Sequence, residues 1–193
     1  MGRSYQEEKT ETVYAEDLVR QLLVHIGEDP SREGLIETPE RVVKMYKEIF
    51  AGYITPCPDM KCFKSKSKSM VVKSGILTFS HCEHHVVPMK LYVDFAYIPN
   101  GKIVGISKII RLIRWCSARL TLQEELVENI ADEFMEQVRP AGCMVVIKGH
   151  HFCEEMRGVR TENCTTTSAI RGVFEEDRNV QKEALSLMKE GCN

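Results

Sequence analysis

Two short segments that combine histidine with cysteine constrain this chain more than any other feature. Residues 80–85 read S-H-C-E-H-H and residues 150–153 read H-H-F-C, so five of the six histidines of the protein lie in these two stretches. Such clustering is hard to explain by random placement, and we expect the two segments to meet in the folded chain. A fold for this sequence must therefore bring together two stretches that are far apart along it.

The spacing within these segments indicates a metal site. Cys82 and His85 are related as C-x-x-H, which allows a thiolate and an imidazole to bind one ion from a single turn, and Cys153 is a candidate third ligand. Zinc suits this mixture of sulfur and nitrogen donors. Structural zinc sites usually take four protein ligands from two similar knuckles, so a set of three favours a catalytic site that leaves a position for water. The alternative is that these residues are ordinary buried thiols and core histidines.

Length and charge exclude several classes of protein. With 193 residues, 43% of them hydrophobic, the chain can bury the core of one or two ordinary globular units. A net charge of −2 disfavours binding to nucleic acid or to an anionic membrane. The sequence contains no apolar run of membrane-spanning length and no signal-peptide core, so we expect a cytoplasmic protein whose eight cysteines are reduced.

The N-terminal part of the chain is predicted to be helical. Apolar side chains recur at helical spacing over residues 13–26, which indicates an amphipathic helix ending near Gly27. Thr38 and Pro39 fit the N-cap and first turn of a second helix. Two prolines and a Lys-Ser repeat make residues 53–69 an expected exposed, mobile linker. We therefore predict a helical hairpin followed by a linker.

From Met70 onward the pattern changes to strands alternating with helices. The predicted strands span about residues 70–79, 86–99, 102–106, 144–152 and 165–174, and the predicted helices about 107–118, 121–138 and 177–189. Ser107 is the expected N-cap of the first of these helices, and Thr121 with Glu124 fits a capping box for the second. This order predicts an α+β fold in which an antiparallel sheet carries a helix pair on one face.

These residues together resemble GTP cyclohydrolase I over nearly the whole chain. The matching segments are residues 27–35 (GEDPSREGL), 38–41 (TPER), 82–85 (CEHH), 96–100 (AYIPN), 105–108 (GISK) with Arg111, 122–124 (LQE), 151–153 (HFC) and 157–158 (RG). Several are short, but their order and spacing together are specific. The resemblance implies the T-fold, in which ββααββ subunits close into barrels, and a toroidal homodecamer with active sites at subunit interfaces. On this basis we expect an N-terminal helical region and linker over residues 1–69 and a T-fold catalytic domain with a C-terminal helix over residues 70–193.

The resemblance also implies the reaction and the roles of five residues at its centre. GTP and water would give formate and 7,8-dihydroneopterin triphosphate, through opening of the guanine imidazole ring. Carried over by position, the zinc ligands are Cys82, His85 and Cys153. His84 and His151 match the proton-transfer and ribose-side histidines, and an imidazole is suited to moving protons near neutral pH.

The resemblance further implies the groups that hold the substrate. Glu124, with Gln123, matches the guanine anchor, since a carboxylate can accept hydrogen bonds from both N1–H and the exocyclic amine. Considered alone, Glu124 fits the capping box better than a ligand site. The groups implied for ribose and triphosphate are Ser107, Lys108, Arg111, Arg157 and Arg41. A helix N-terminus with a serine and nearby basic residues is a good anion site, although basic residues on a helix more often form a solvated face.

Several positions depart from the family pattern. Leu91 stands where glycine is common, Glu125 where an arginine usually follows the anchoring glutamate, Lys148 where an acidic residue is usual, and Gly149 in place of alanine. His81 and His150 are additional imidazoles, which we expect not to be ligands because neighbouring strand residues face opposite ways.

Three other functions remain open at this point. One is a related T-fold enzyme of the 7-deazaguanine nitrile reductase type, which would use a nicotinamide cofactor and no zinc triad. Another is a catalytically silent ring that binds guanine nucleotide or pterin. The last is a zinc-stabilised structural module, which predicts a fourth protein ligand.

Overall fold

The computed structural model describes residues 5–191, with the side chains of residues 11–191. The chain divides into two compact units, Met1–Ala51 and Gly52–Asn193. Residues 52–69, which the sequence grouped with the helical region, thus belong to the second unit. The seven cysteines within the described part of the chain are all free, and Cys192 lies outside it. Among the helices described, none combines the length and apolar character needed to cross a bilayer.

The first unit contains two helices, as predicted. Helix α1 spans Tyr5–His25 and helix α2 spans Thr38–Ile49, with a hydrogen-bonded turn between them. The prediction that Thr38 caps α2 is wrong, because Glu37 occupies the N-cap position and no side chain caps this end. The reason is local: the Thr38 N–H already donates to Leu35 O at 3.0 Å, so the chain turns into the helix before Thr38.

The second unit is built on a five-stranded sheet. Two of the unit's seven described strands, β1 and β4, form a separate two-stranded sheet. The strands are β1 (Cys62–Lys64), β2 (Val71–Cys82), β3 (Pro88–Ile98), β4 (Lys102–Val104), β5 (Leu120–Thr121), β6 (Gly142–His151) and β7 (Thr165–Gly172). The order in the large sheet is β5-β2-β3-β6-β7, with only the short β5 running parallel to its neighbour. The prediction of a wholly exposed linker over residues 53–69 is therefore wrong, since β1 pairs with β4 and Met60 is buried.

Helices cover both faces of the large sheet. Helices α3 (Ile106–Ser117) and α4 (Gln123–Val138) pack on one face against Leu91, Val93 and Phe95 of β3, which are fully buried. The short helices α5 (Phe152–Glu155) and α6 (Val173–Glu176) follow β6 and β7, and α7 (Arg178–Glu190) closes the described chain. Phe174 of α6 and Met188 of α7 join a second core with Met144 from the other side of the sheet. The predicted α+β class, a ββααββ T-fold with a helix pair on one face, is confirmed.

The starts of α3 and α4 differ from the predictions. Gly105, not Ser107, is the N-cap of α3, so Ser107 lies inside the first turn with its side chain exposed. The capping box of α4 does not form, because Thr121 is drawn into β5 and its hydroxyl donates to Leu122 O at 3.0 Å. Leu122 is then the N-cap, without a side-chain bond. The carboxylate of Glu124 is consequently not used for capping.

Candidate active site

The register of three strands brings the two histidine–cysteine segments to one end of the sheet. The start of β3 lies between the end of β2 and the end of β6, where His81 is opposite Pro88 and Met89 is opposite His151. Because paired residues on neighbouring strands have Cα atoms roughly 5 Å apart, this register places the chain ends after β2 and β6 close together. Two segments distant in sequence thereby become neighbours.

A tight turn after β2 folds the first segment back on itself. The amide of Cys82 donates to Val87 O at 3.0 Å, and the amide of Val86 donates to Cys82 O at 2.9 Å. Val86 has φ +55°, a left-handed conformation that is unusual for a β-branched residue. Such backbone strain costs about 1–3 kcal/mol and is found where the surrounding structure holds a site in place. The turn keeps His85 beside Cys82.

Cys82, His85 and Cys153 form a cluster of three potential metal ligands. Their ligand atoms all lie within 4.8 Å of one another, and Cys82 Sγ is 3.8 Å from His85 Nδ1. Donors on one tetrahedral zinc ion lie roughly 3.3–3.8 Å apart, so the donor set and its spacing fit such an ion. Within residues 11–191 this is the one group of three or more His, Cys, Asp or Glu side chains so arranged, and no fourth joins it.

The neighbouring sulfur of Cys82 opposes ionisation of the Cys153 thiol. Burial raises the pKa of Cys153, and the neighbouring Cys82 sulfur raises it further. A cation between two thiolates removes that repulsion, which is why metal binding deprotonates coordinating thiols. Cys82 is 5% exposed and Cys153 is half-buried, while His85 is exposed. The cluster is therefore open on its imidazole side.

Two further histidines adjoin this cluster. His84 is exposed, with Nδ1 3.8 Å from Cys82 Sγ and its ring edge toward His85. His151 lies at the end of β6, half-buried, and its Nε2 is 2.8 Å from Gln123 Oε1. Gln123 in turn reaches this end of the sheet because Thr121, two residues earlier, pairs with Cys82.

The remaining two imidazoles of the second unit are outside the cluster. His150 Nδ1 lies 3.1 Å from Glu155 Oε1, so it pairs with α5 instead. His81 is 8% exposed at the end of β2, and burial lowers its pKa. Neither belongs to the group of ligand atoms described above.

Two unusual residues, Leu91 and Gly149, face each other across β3 and β6. They are register partners, and a Cβ built on Gly149 would lie 2.7 Å from Leu91 Cδ2. The absence of a side chain at 149 therefore makes room for the large one at 91. Lys148, another departure, places Nζ 3.2 Å from Oδ2 of the buried Asp94, which provides that carboxylate with a cation.

Glu124 lies at the start of α4 in an open depression of the surface. The depression is lined by Glu124, Glu125, Glu128 and Asn129, all exposed. Glu124 directly follows Gln123, whose side chain is hydrogen-bonded to His151. The backbone of Glu124 is therefore next to a residue that contacts one of the histidines beside the cluster. A carboxylate in this position is free to accept hydrogen bonds from a ligand.

The residues implied for phosphate binding come from three segments of the chain. Ser107 and Arg111 are exposed and Lys108 half-buried on the first turns of α3, and Arg157 is exposed in the segment after α5. Their side chains make no hydrogen bond or ion pair with any other residue that the structure describes. Arg41 lies in the first unit on α2, where its guanidinium pairs with Glu37. The ligand atoms of the cluster are thus brought together by the fold, whereas no contact within the described residues links these cations to the cluster.

The main feature that sequence reasoning missed is the environment of Gln123. Its side chain is 1% exposed, and its Nε2 lies 3.1 Å from Ile147 O, Thr165 O and Thr167 Oγ1. The capping pattern gave no signal for this, because the contacts depend on the register of β6 and β7. The signal available in the sequence was the pair of unusual residues at positions 91 and 149, a leucine and a glycine, which are opposite each other in the sheet.

Comparisons with known proteins agree with one another. The sequence model of the family described as GTP cyclohydrolase I matches residues 15–189. A GTP cyclohydrolase 1 of Desulforamulus reducens is 44% identical over 178 residues, covering 90% of this chain and 95% of that relative. A protein of the same name from Campylobacter jejuni is 45% identical over 177 residues, covering 90% and 93%. One from Geobacillus kaustophilus is 44% identical over 176 residues, covering 89% and 93%.

Proposed function

Since the chain belongs to the GTP cyclohydrolase I family, and is thus a hydrolase acting on GTP, we propose that its reaction centre is the cluster of Cys82, His85 and Cys153. The observation that carries this assignment is the meeting of three donor atoms within 4.8 Å at one end of the sheet. The reaction opens the imidazole ring of guanine with water, releases formate and forms 7,8-dihydroneopterin triphosphate, a step of pterin and folate biosynthesis.

The family is metal-dependent, and zinc is the ion proposed for this cluster. Two sulfurs and one imidazole nitrogen are the donors that zinc prefers, and three protein ligands are typical of its catalytic sites. When bound, the ion supplies Lewis-acid activation of water, so that a nucleophile is available at neutral pH. Iron has related preferences, so metal analysis of protein purified without chelators is the direct check.

His84 and His151 are proposed to move protons during ring opening. Both adjoin the cluster, His84 through Cys82 and His151 through the register of β6 with β3. An imidazole can donate a proton to N7 of guanine or accept one from water, which is the role proposed for these two side chains. His84 is exposed and His151 is oriented by Gln123, so His151 is the more rigidly held of the two.

Glu124 is proposed to anchor the guanine ring. Its carboxylate is exposed and has no capping role, so it can accept from N1–H and the exocyclic amine together, a pair that adenine does not offer. Gln123 was implied as part of this anchor, but both its amide hydrogens already have acceptors within the protein. The guanine contact is therefore assigned to Glu124 in particular.

Ser107, Lys108, Arg111, Arg157 and Arg41 are proposed to bind the ribose and triphosphate. Ser107 and Lys108 lie in the first turn of α3, whose N-terminus has no side-chain cap. The amide of Lys108 donates to Gly105 O at 2.8 Å, so the amides that precede it in this turn are the ones proposed to bind an anion. Cationic side chains that lack a protein partner are available to phosphate oxygens. Arg41 would have to exchange its present partner Glu37 for the ligand.

Incubation of metal-loaded protein with GTP tests the reaction directly. Formate release and pterin fluorescence should rise together, and both should stop after chelation and return on addition of zinc. Nucleotide binding without formate would favour the silent ring, and nicotinamide-dependent reduction of a nitrile would favour the other T-fold enzyme. Neither outcome is compatible with the proposed hydrolysis.

We also propose that active sites form between subunits of a homo-oligomer, with the toroidal decamer as the expected form, located in the cytoplasm. Large apolar side chains on α1 and directly after it are exposed in the single chain, with Leu18 at 48%, Leu22 at 59% and Ile26, the residue after the helix, at 64%. An apolar stripe of this kind marks an association surface more often than a solvated one. Mass measurement in solution and cell fractionation check the assembly and the location.

Subunit complementation tests the shared site. Cys153→Ser removes a ligand of the cluster and should be nearly inactive. Arg111→Ala removes a basic group and, at GTP concentrations well below KM, should keep about a fifth of the wild-type activity. If the two groups come from different chains, co-expression should restore about a quarter of the wild-type sites, as random mixing in a closed ring predicts. Co-expression of Cys153→Ser with His85→Ala is the control, because both residues lie in one chain's cluster. Failure of the first pair to exceed the activity of its Arg111→Ala chains alone would place the whole site in one chain, and recovery in the control pair would contradict the assignment of His85 and Cys153 to one chain's cluster.

A further inference from the structure

We propose that Gln123 is a positioning residue that fixes the orientation and tautomer of His151, and that in this chain, where Leu91 lies opposite, Gly149 leaves room for it. This rests on the proposed function insofar as His151 acts on the substrate. The observation behind it is a buried amide whose bonds are all within the protein, at a position where the family resemblance implies a substrate contact.

The orientation of the Gln123 amide is fixed by its neighbours. At one end of the amide lie Ile147 O and Thr165 O, both at 3.1 Å, and a backbone carbonyl can only accept a hydrogen bond. That end must therefore be the NH2 group, and Thr167 Oγ1 at 3.1 Å adds a further acceptor. The carbonyl Oε1 is thereby directed to His151, and the opposite assignment would set acceptors against acceptors.

The amide orientation in turn determines which nitrogen of His151 carries a hydrogen. His151 Nε2 lies 2.8 Å from Gln123 Oε1, which can only accept, so Nε2 bears the hydrogen of the neutral ring. Nδ1 is then the nitrogen left to exchange a proton with substrate or water. A second group that fixes the tautomer of an imidazole in this way is a common means of keeping it ready for proton transfer.

Gly149 makes this arrangement sterically possible. A Cβ on Gly149 would lie 2.1 Å from Gln123 Oε1, and the same atom would lie 2.7 Å from Leu91 Cδ2. Real Cβ atoms do not approach other atoms this closely, so the amide would have to move. The movement would be taken up by the flexible end of Gln123, the atom that contacts His151.

The variant Gln123→Leu tests the assignment. It keeps the size and apolar stem of the side chain and removes the acceptor for His151. We expect kcat to fall roughly 10- to 100-fold, as when an acid–base group loses its orientation, with KM for GTP and zinc content within about twofold of wild type. Gln137→Leu is the matched control on the same helix, since its amide contacts Cys57 instead, and it should leave kcat unchanged.

A spectroscopic measurement separates this proposal from the proposed function. Solid-state 15N spectra of histidine-labelled protein, with the His151 signal assigned by its loss in His151→Asn, should show a hydrogen on Nε2 in wild type and a mixture of tautomers in Gln123→Leu. Gly149→Ala keeps Gln123 but displaces its amide, and it should produce the same spectral change with a smaller fall in kcat. Gly149→Ala also tests the proposal if Gln123→Leu does not fold.

Three outcomes would overturn the proposal. A rise in KM for GTP with kcat preserved would make Gln123 a substrate contact. Equal activity of Gln123→Leu and Gln137→Leu would show that Gln123 has no role in positioning His151. A His151 tautomer that is the same in wild type, Gln123→Leu and Gly149→Ala would show that other groups determine it. Absence of formate release by the wild-type protein would refute the hydrolase instead, and the spectra would still decide the contact.

Discussion

The ligand cluster and the basic residues illustrate two ways of building a site. Cys82 ends β2, His85 lies in the turn that follows, and Cys153 is the second residue of α5. Their donor atoms all lie within 4.8 Å of one another. Lys108 and Arg111 are long side chains on one helix that make no hydrogen bond or ion pair with another described residue, and Arg157 lies in a different, exposed segment. The first group is fixed by strand pairing, whereas the second is fixed only at its backbone.

This difference indicates how the work of the enzyme is divided. Reacting groups must be held within fractions of an ångström, which strand register and a strained turn can provide inside one chain. Long cations that hold a flexible triphosphate gain their geometry from the ligand or from a neighbouring subunit. Changes in the cluster should therefore abolish the reaction, and changes among the cations should only weaken binding.

Loss of a cluster ligand should have the largest effect. Cys153→Ser replaces a thiolate by a hydroxyl, and we expect metal content and turnover to fall together, turnover by roughly 10³-fold, because metal activation of water contributes several kcal/mol. Metal analysis and formate release on the same sample measure both. Cys164→Ser is the control, since that cysteine is exposed and outside the cluster. Full turnover by Cys153→Ser with its metal retained would show that Cys153 is not a ligand.

Loss of the guanine anchor should have the next largest effect, on binding and not on the metal. Glu124→Ala removes an acceptor for two hydrogen bonds of about 1.5 kcal/mol each, so KM for GTP should rise about 100-fold with normal zinc content. Glu125→Ala changes the adjacent carboxylate of the same depression and should leave KM near its wild-type value. If the two variants are equally impaired, the effect comes from the charge of the depression and not from a specific contact.

The order of the longer strands and helices and the membership of the cluster could be predicted from the sequence. The pattern over residues 86–99 located β3, in which Leu91, Val93 and Phe95 are fully buried. Cys82 and Cys153 could be distinguished from the other cysteines as candidate ligands because histidines lie next to them in the sequence. The structure adds a physical reason to exclude two of the others. Burial raises the pKa of Cys116, and likewise of Cys143, to about 12, which makes both poor ligands.

Helix starts and the setting of Gln123 could not be predicted in the same way. Thr38, Ser107 and Thr121 all have cap-forming side chains, yet turns and strand pairing on the preceding residues moved each helix start to another residue. Whether a side chain caps a helix depends on competition between local hydrogen bonds and pairing with distant parts of the chain, and the sequence pattern reports only the local hydrogen bonds. The contact between Gln123 and His151 requires the register of three strands and a missing Cβ at Gly149, which no local pattern encodes.

The smallest effect is expected at the cations. Arg111→Ala should raise KM for GTP about fivefold with little change in kcat, because one exposed charge contact contributes about 1 kcal/mol. The loss should shrink as salt is added, since screening weakens the same contact in the wild type. KM measured at two ionic strengths, with kcat and zinc content, gives the required comparison.

Arg114→Ala provides the matched control for this last change. Arg114 lies on the same helix as Arg111 and is equally exposed, but it is farther from the α3 N-terminus and was not implied as a phosphate ligand. If only Arg111→Ala raises KM, the contact is specific and the division between fixed and mobile groups stands. If kcat falls instead, Arg111 is held as rigidly as the cluster when GTP is bound, and the contrast between the two regions disappears in the complex.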